Sequence, residues 1–351
     1  MIDASSHISG AFRNTSVLQL FQSASIDKVD QNGAFHAAAE VEGTFGNAAS
    51  KAIDSIIQIV MAANGDTSTS IDTQGQVSNA STGDGNDTIN INAARAYAVT
   101  SGAGNDVVNI TVGGGSDRQH GTDGDHGHHG DHGHGNAMLP TVMGVGTGDG
   151  NDTLNIDAHG VVMAVSGEAG NDTVNVKTNS LAFGVYGGEG NDTVNVDAKF
   201  ATLVDGGDGN DVVNVKASSM FGISGGKGDD VINLDNTGSE AAQYFYSQGD
   251  GKDIINSNGA VSINLFSADG TAKLDMSAAT WSQSGNTVTI AFGNTGDAIT
   301  VNLTGDAATG KASVSYDDKT GNLVIGPGTP DDVASQTSVS VSASASISVS
   351  G

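Results

Sequence analysis

The stretch "GGEGNDTVNV", residues 187–196, joins a glycine-rich turn to a β-branched strand through an Asn-Asp pair. Nearly the same stretch occurs eight times along the 351 residues. Successive motif aspartates are 19 or 20 residues apart, except for one step of 46 and a last step of 23; they are Asp87, Asp106, Asp152, Asp172, Asp192, Asp211, Asp230 and Asp253. A period of this length predicts stacked supersecondary units rather than one globular core.

Each unit contains two alternating segments. An asparagine follows every motif aspartate by three positions and lies between apolar residues, as in Val174-Asn175-Val176, so we expect the apolar pair inside and the asparagine outside. A second segment precedes the glycines, and one pair of residues in each is expected to face inward: Tyr97/Val99, Met143/Val145, Met163/Val165, Phe183/Val185, Thr202/Val204, Phe221/Ile223 and Tyr244/Tyr246. Parallel stacking of such units predicts an all-β fold, a right-handed parallel β-roll or β-solenoid of about eight 19–20-residue coils.

The composition restricts the partners of such a rod. The chain has 13 Lys and Arg against 40 Asp and Glu, a formal net charge of −27, which disfavours nucleic acid and anionic lipid. Cysteine is absent, so metal ions are the expected substitute for disulfides. Neither an N-terminal apolar leader nor an apolar run of transmembrane length is found in the sequence.

The glycine-rich turns have the composition of calcium loops. Glycines adopt positive φ angles and allow backbone carbonyls to converge, while the aspartate adds a carboxylate at the start of the strand. Two stacked turns would offer an oxygen-only cage, which suits Ca²⁺ better than Zn²⁺ or Cu²⁺. The candidate calcium residues are the eight aspartates with Gly85, Gly104, Gly150, Gly170, Gly190, Gly209, Gly228 and Gly251. Stacked carboxylates without an ion would repel one another, so we expect calcium binding and folding to be coupled.

At these residues the chain resembles the RTX, or hemolysin-type calcium-binding, family, whose consensus is G-G-x-G-x-D-x-U-x. Residues 187–195, 206–214 and 225–233 match it throughout, and the other copies are near matches. The resemblance covers about half of the chain. It implies a parallel β-roll, extracellular calcium and type I secretion through an uncleaved C-terminal signal. The family usually repeats every nine residues, whereas here the motif occurs once per coil, so we expect one calcium column along a single edge.

The 46-residue step contains a histidine-rich insertion, residues 113–141, between the second and third coils. Two interpretations remain open: a flexible Zn²⁺, Ni²⁺ or Cu²⁺ site, or a solvated low-complexity spacer. The histidines are His120, His126, His128, His129, His132 and His134. The exposed asparagines likewise have two interpretations, a flat face that binds ice or polysaccharide, or a ladder of amides that stiffens the stack.

The regions outside the repeats complete the domain prediction. Residues 1–66 are expected to form a cap with an amphipathic helix at 48–63, and the solenoid is expected over 67–257. A C-terminal β cap follows at 258–326, and then a linker and a Ser/Val strand tail at 327–351. The tail alternates without error and could pair within its own chain or with a neighbouring subunit. Its self-assembly candidates are Val339, Val341, Ala343, Ala345, Ile347 and Val349.

These features favour a non-enzymatic function, because neither a catalytic constellation nor a large domain precedes the repeats. The leading hypothesis is a secreted structural protein that folds on calcium and self-assembles into an extracellular fibre, surface layer or biofilm matrix, with its own copies as partners. The alternatives are a calcium-stiffened module that binds ice, glycan or cell-surface polysaccharide, and an extracellular protein that captures metal through the histidine-rich insertion.

Overall fold

The computed structural model describes residues 56–60, 65–73, 75–113, 141–293, 295–308, 310–317 and 319–328. Over these residues the chain is a β-solenoid of about nine coils, made of two 12-stranded sheets. Sheet 1 contains, in spatial order, β1 (Ile56–Val60), β3 (Gln76–Ser81), β5 (Arg95–Ala103), β7 (Thr141–Asp149), β9 (Val161–Ala169), β11 (Leu181–Glu189), β13 (Phe200–Asp208), β15 (Ser219–Lys227), β17 (Ala242–Ser247), β19 (Val261–Phe266), β24 (Asn322–Pro327) and β23 (Ala312–Asp317).

Sheet 2 holds the strand that follows each glycine-rich turn. Its strands are β2 (Ser68–Asp72), β4 (Thr88–Ala93), β6 (Val107–Val112), β8 (Thr153–Ala158), β10 (Thr173–Thr178), β12 (Thr193–Asp197), β14 (Val212–Ala217), β16 (Val231–Asn236), β18 (Lys252–Ser257), β22 (Ala298–Leu303), β21 (Thr287–Phe292) and β20 (Ala279–Ser284). The coils pair in parallel and in register, so that Asn175 lies opposite Asn155 and Asn195. This confirms the predicted stacking of the repeats.

The core between the sheets is thin and rich in valine. In sheet 2 the predicted alternation holds: Val174 and Val176 are buried while Asn175 between them is partly exposed. In sheet 1 part of the prediction is wrong, because Ala182 and Val185 are buried and Phe183 faces outward at 36% exposure.

The cause is a left-handed residue that interrupts the alternation in sheet 1. Gly184, with φ 68°, lies between Phe183 and Val185, so the buried positions are three residues apart instead of two. The equivalent residues have φ between 50° and 69°; they are Asn79, Ala98, Gly144, Ala164, Leu203 and Gly222. Consequently the first member of each predicted inward pair lies on the outer side up to Phe221, whereas Tyr244 and Tyr246 are both buried as predicted.

The helix predicted over 48–63 is wrong where the structure describes it. Residues 56–60, "IIQIV", form β1, which pairs in parallel with β3 through Ile56 and Gln76. The run is mostly β-branched and covers the edge of β3, which would otherwise be unpaired. Strand pairing therefore prevails over the helical spacing of its apolar residues. The flanking residues 48–55 and 61–63 lie outside the described part of the chain.

The C-terminal region closes the far end with antiparallel strands. β19 and β22 still pair in parallel with the preceding coil, after which β24 and β23 extend sheet 1 and β21 and β20 extend sheet 2. Short 3-10 helices occur at Met276–Ala278 and Gly305–Ala308. Over the described ranges, no helix has the length and apolar character needed to cross a membrane.

Candidate metal centre

The eight motif aspartates form one buried column along the edge where each turn enters sheet 2. From Asp87 to Asp230, each backbone N–H donates to the Oδ1 atom of the aspartate in the next coil, over 2.7 Å from Asp87 to Asp106 and 2.6 Å from Asp192 to Asp211. The bond from Asp106 to Asp152 continues the column although 46 residues separate the two in sequence. The carboxylates are 1–3% exposed, so the aspartates are internal elements of the fold.

The Asn-Asp pair bonds to the neighbouring coils in both directions. The Asn171 Oδ1 atom accepts a hydrogen bond from the Asn191 backbone N–H at 2.7 Å, while the Asp192 backbone N–H donates forward to Asp211. These side chains therefore satisfy backbone donors at the turn, where the sheet ladder cannot. Sequence analysis identified the aspartates but missed this use of Oδ1 and the role of the adjacent asparagine.

Both ends of the column are closed by hydroxyl groups that the repeat pattern did not identify. At the N-terminal end, Thr67 takes the place of an aspartate, and its backbone N–H and hydroxyl donate to Asp87 Oδ1 at 2.7 and 2.8 Å. At the other end, the Tyr244 hydroxyl donates to Asp253 Oδ2. The Oδ1 atoms of the column are thus all bonded, from Asp87 to Asp253.

The second carboxylate oxygen has no such partner. Seven consecutive Oδ2 atoms are buried and accept no hydrogen bond from the described residues, namely those of Asp87, Asp106, Asp152, Asp172, Asp192, Asp211 and Asp230. A buried carboxylate oxygen without a partner is costly and calls for a counter-charge or a proton. The lysines that pair with aspartates here, Lys177, Lys216 and Lys227, do so on the exposed outer surface.

Burial changes the acidity of the column. Desolvation is the largest cause and raises the pKa of Asp172 to about 7 and that of Asp211 to about 8. The same cause raises the pKa of Asp192 and of Asp230 to about 6, each opposed by a backbone hydrogen bond to the carboxylate. The backbone N–H groups at Oδ1 therefore do not offset the desolvation of the charged carboxylates.

The glycines predicted as calcium residues pack one coil onto the next. Gly170 has φ 134°, and a Cβ added to it would lie 1.5 Å from the carbonyl oxygen of Gly150. Gly190 has the same relation to the Gly170 carbonyl, at 1.9 Å. These carbonyls thus point along the stack at the glycine of the next coil, where there is no room for a side chain. The calcium hypothesis did not include this packing role of the glycines.

The unpartnered Oδ2 atoms in the middle of the column each lie next to a second glycine of the turn, five residues before the aspartate. A Cβ built on Gly187 would lie 2.6 Å from Asp192 Oδ2 and 2.3 Å from the carbonyl oxygen of Gly206. On Gly206 it would lie 2.5 Å from Asp211 Oδ2 and 2.4 Å from the Gly225 oxygen. We call this space, bounded by a carboxylate and a carbonyl oxygen, the cradle.

The donor chemistry of the cradle fits Ca²⁺. The ligands available are a buried, unpaired carboxylate oxygen and a backbone carbonyl, both hard oxygen donors. Within the described ranges, no three His, Cys, Asp or Glu side chains converge, so carbonyls would supply much of the coordination. Asp205, which sequence analysis missed, adds a further carboxylate beside Gly206; its Oδ1 is buried without a partner, and burial raises its pKa to about 7.

The remaining sequence-predicted sites lie elsewhere. The six histidines of the insertion and the six tail residues fall within 114–140 and 329–351, outside the described residues. The asparagines of sheet 2 form the predicted ladder: the Asn195 amide donates to Asn175 Oδ1 at 2.8 Å, and Asn302 continues the series with Asn256 at 3.0 Å. This ladder lies in a groove of about 790 Å³ that runs over Asn109 to Asn256.

No family model matches the chain, and no curated protein is significantly similar to it.

Proposed function

We propose that the chain is a secreted, calcium-dependent structural protein that self-assembles into an extracellular fibre, surface layer or biofilm matrix. The observation that carries the calcium part is the series of seven buried Oδ2 atoms without a partner. Calcium would supply the positive charge that the folded chain does not place there. The extracellular location and type I export rest on the resemblance of the turns to RTX repeats.

Each residue type in the coil has a defined part in this proposal. The Oδ1 atoms and the backbone N–H groups fix the spacing of the carboxylates, whether or not an ion is bound. The Oδ2 atoms and the carbonyls of Gly187, Gly206 and Gly225 would hold the ion. Neighbouring carboxylates about 5 Å apart repel by about 3 kcal/mol at an effective dielectric constant near 20, so the ion and the fold are expected to depend on each other.

The assembly part is supported by an apolar strip on the outer side of sheet 1. Met143, Phe183 and Phe221 are 43%, 36% and 45% exposed and lie in one row on alternate strands, with Met163 and Thr202 between them. Phe221 packs edge-to-face against Phe245, with 5.6 Å between ring centroids. Phe245 packs in the same way against Phe266, with 5.7 Å between centroids. An exposed apolar strip on an acidic rod indicates a contact surface, and the alternating tail is the second candidate contact.

The test is electron microscopy of the full chain with millimolar calcium and with chelator, beside a truncation before Gln336. Filaments or sheets that dissolve on chelation, and that the truncated protein does not form, would support the proposal. Calcium binding must be measured on the same samples. If the truncated chain binds calcium but stays dispersed, the tail is the segment required for assembly. Dispersed rods of the full chain in calcium would contradict self-assembly.

A second candidate function has a specific observation in its favour, the groove over the asparagine ladder. One N–H of each ladder amide is used within the ladder, which leaves the other available to a ligand such as a polysaccharide chain or ice. Changing Asn175, Asn195 and Asn214 to leucine should abolish such binding and leave calcium affinity unchanged. Asn179, which lies outside the ladder, provides the matched control for Asn→Leu.

A further inference from the structure

The residue five positions before the motif aspartate differs along the column. In the first three motif coils it carries a hydroxyl, and in the next four it is glycine. The hydroxyl coils have Thr82, Ser101 and Thr147, and the glycine coils have Gly167, Gly187, Gly206 and Gly225. All seven coils have an aspartate with a free, buried Oδ2, so this position is the main difference between them.

In the hydroxyl coils a side chain bonds each coil to the next. The Thr82 hydroxyl donates to the carbonyl of Ser101 at 2.6 Å, and the Ser101 hydroxyl donates to that of Thr147 at 2.8 Å. The Thr147 hydroxyl in turn donates to the carbonyl of Gly167 at 2.8 Å. These side chains are buried and occupy the place that the cradle has in the glycine coils.

The carbonyl of Gly167 still accepts the Thr147 hydroxyl, but those of Gly187, Gly206 and Gly225 accept no hydroxyl from the described residues. The four glycines do not have positive φ angles, so the backbone conformation does not require glycine there. What requires glycine is space, because a Cβ on Gly167 would lie 2.4 Å from Asp172 Oδ2 and 2.6 Å from the Gly187 carbonyl oxygen. The absence of a side chain leaves a carboxylate and a carbonyl oxygen facing one another with no hydroxyl between them.

We infer that calcium binds only in the four glycine coils, because in the first three the hydroxyl side chains fill the space and engage the carbonyls that an ion would need. This inference rests on the proposed function and restricts where its ions lie. Asp205, beside Gly206, is partly exposed, but its Oδ1 atom is buried without a partner and adds a carboxylate that the hydroxyl half does not have at this position. The solenoid is therefore divided into a half held by hydroxyl hydrogen bonds, up to β8, and a calcium-dependent half that begins at β9.

The first experiment measures calcium stoichiometry on the full chain by equilibrium dialysis. We expect about four ions, one for each glycine coil; the cradle is complete at Gly167, Gly187 and Gly206, whereas at Gly225 the atoms nearest an added Cβ all belong to Asp230. Gly206→Ser, which introduces the hydroxyl found at Ser101, should remove about one ion, and Thr147→Gly should add about one. Gly259→Ser is the control, since its Cβ would meet the Asn236 side chain at an ordinary 3.5 Å and lies away from the column.

The second experiment is hydrogen exchange with and without chelator. Amides of β10, β12, β14 and β16 should lose protection at least tenfold on chelation, while those of β4, β6 and β8 should change little. This comparison and Thr147→Gly remain informative if Gly206→Ser does not fold. About seven ions, or protection lost equally in both halves, would overturn the inference and leave the proposed function standing. Absence of calcium binding would overturn the proposed function itself.

Discussion

The backbone N–H and the hydroxyl of Thr67 both donate to one oxygen of Asp87, at 2.7 and 2.8 Å. Thr67 stands where every later coil has an aspartate, so the column begins with a donor that brings no charge. A ninth carboxylate here would add repulsion at the end of the stack, whereas a threonine satisfies Asp87 and ends the series.

Removal of the Thr67 hydroxyl should therefore destabilise the first coils. Thr67→Ala keeps the backbone bond and loses the side-chain bond to a charged acceptor, which we expect to cost about 1.5–3 kcal/mol. Hydrogen exchange of β2 and β4 measures this cost locally, and Ser68→Ala, at an exposed neighbouring position, is the control. Equal exchange rates in both variants would show that the hydroxyl contributes nothing.

Replacement of one carboxylate in the middle of the column should have opposite effects with and without calcium. Asn at position 192 keeps the Oδ1 acceptor for Asp172 N–H and places a neutral donor near the Gly206 carbonyl. Asp192→Asn should thus raise Tm in chelator at pH 8 and lower Tm in calcium. Each shift should be a few degrees, which corresponds to a change of about 1 kcal/mol in the free energy of unfolding.

The control for Asp192→Asn is Asp197→Asn, measured under the same two conditions. It removes an equal charge from an exposed aspartate that pairs with Lys216. Its effect should be small and of the same sign under both conditions, as for surface ion pairs in general. If Asp192→Asn and Asp197→Asn shifted Tm alike, the column would have no special electrostatic cost.

Without calcium, stability should fall as pH rises. The folded-state pKa values of Asp172 and Asp211, about 7 and about 8, lie above the usual value of 3.8 because of burial. Between pH 4 and pH 8 the folded chain therefore binds protons that the unfolded chain has lost, and each such group contributes less stability as pH increases. In chelator, Tm should drop by at least about 5 °C from pH 5.5 to pH 8.

Calcium should reverse this trend, because it binds the ionised carboxylates and competes with their protons. Thermal unfolding at both pH values, with and without millimolar calcium, provides the comparison. A calcium-induced rise in Tm that is as large at pH 5.5 as at pH 8 would contradict the assignment of the ion to these aspartates.

The far end of the column offers a test that does not depend on calcium. The Tyr244 hydroxyl lies between the Gly225 backbone N–H, at 3.2 Å, and Asp253 Oδ2. Tyr244→Phe would leave that buried oxygen without a donor, at an expected cost of about 1–3 kcal/mol. Urea denaturation measures the loss, and Tyr97→Phe on the partly exposed outer side is the matched control.

The sequence predicted the features that repeat and missed those that end or interrupt the repeat. The 19–20-residue period and the Val-Asn-Val alternation predicted the parallel stack of coils, which the structure confirms, and in it the motif aspartates align in one column. The left-handed residue in sheet 1 could not be predicted, because Ala98, Ala164 and Leu203 share that conformation with glycines and carry no recognisable signal. Phe183 and Met143 were consequently assigned to the core instead of the outer surface.

Two other errors have a common physical origin at the ends of the solenoid. The apolar spacing of residues 53–61 fits a helix as well as an edge strand, and only pairing with β3 decides between them. Thr67 and Tyr244 likewise act through contacts with a neighbouring coil, which a search for aspartates at fixed spacing does not detect.

The unbroken pairing of β6 with β8 has an evolutionary consequence. Asn109 and Asn155 bond at 2.8 Å although 46 residues separate them, as closely as asparagines from directly successive repeats. Each coil therefore recognises its neighbour through local contacts alone and does not depend on what the connecting segment contains. Duplication or deletion of a whole repeat should change the length of the rod by about 4.8 Å and leave its architecture intact. Unequal recombination that adds or removes whole repeats would thus change the length of the rod without requiring a new fold.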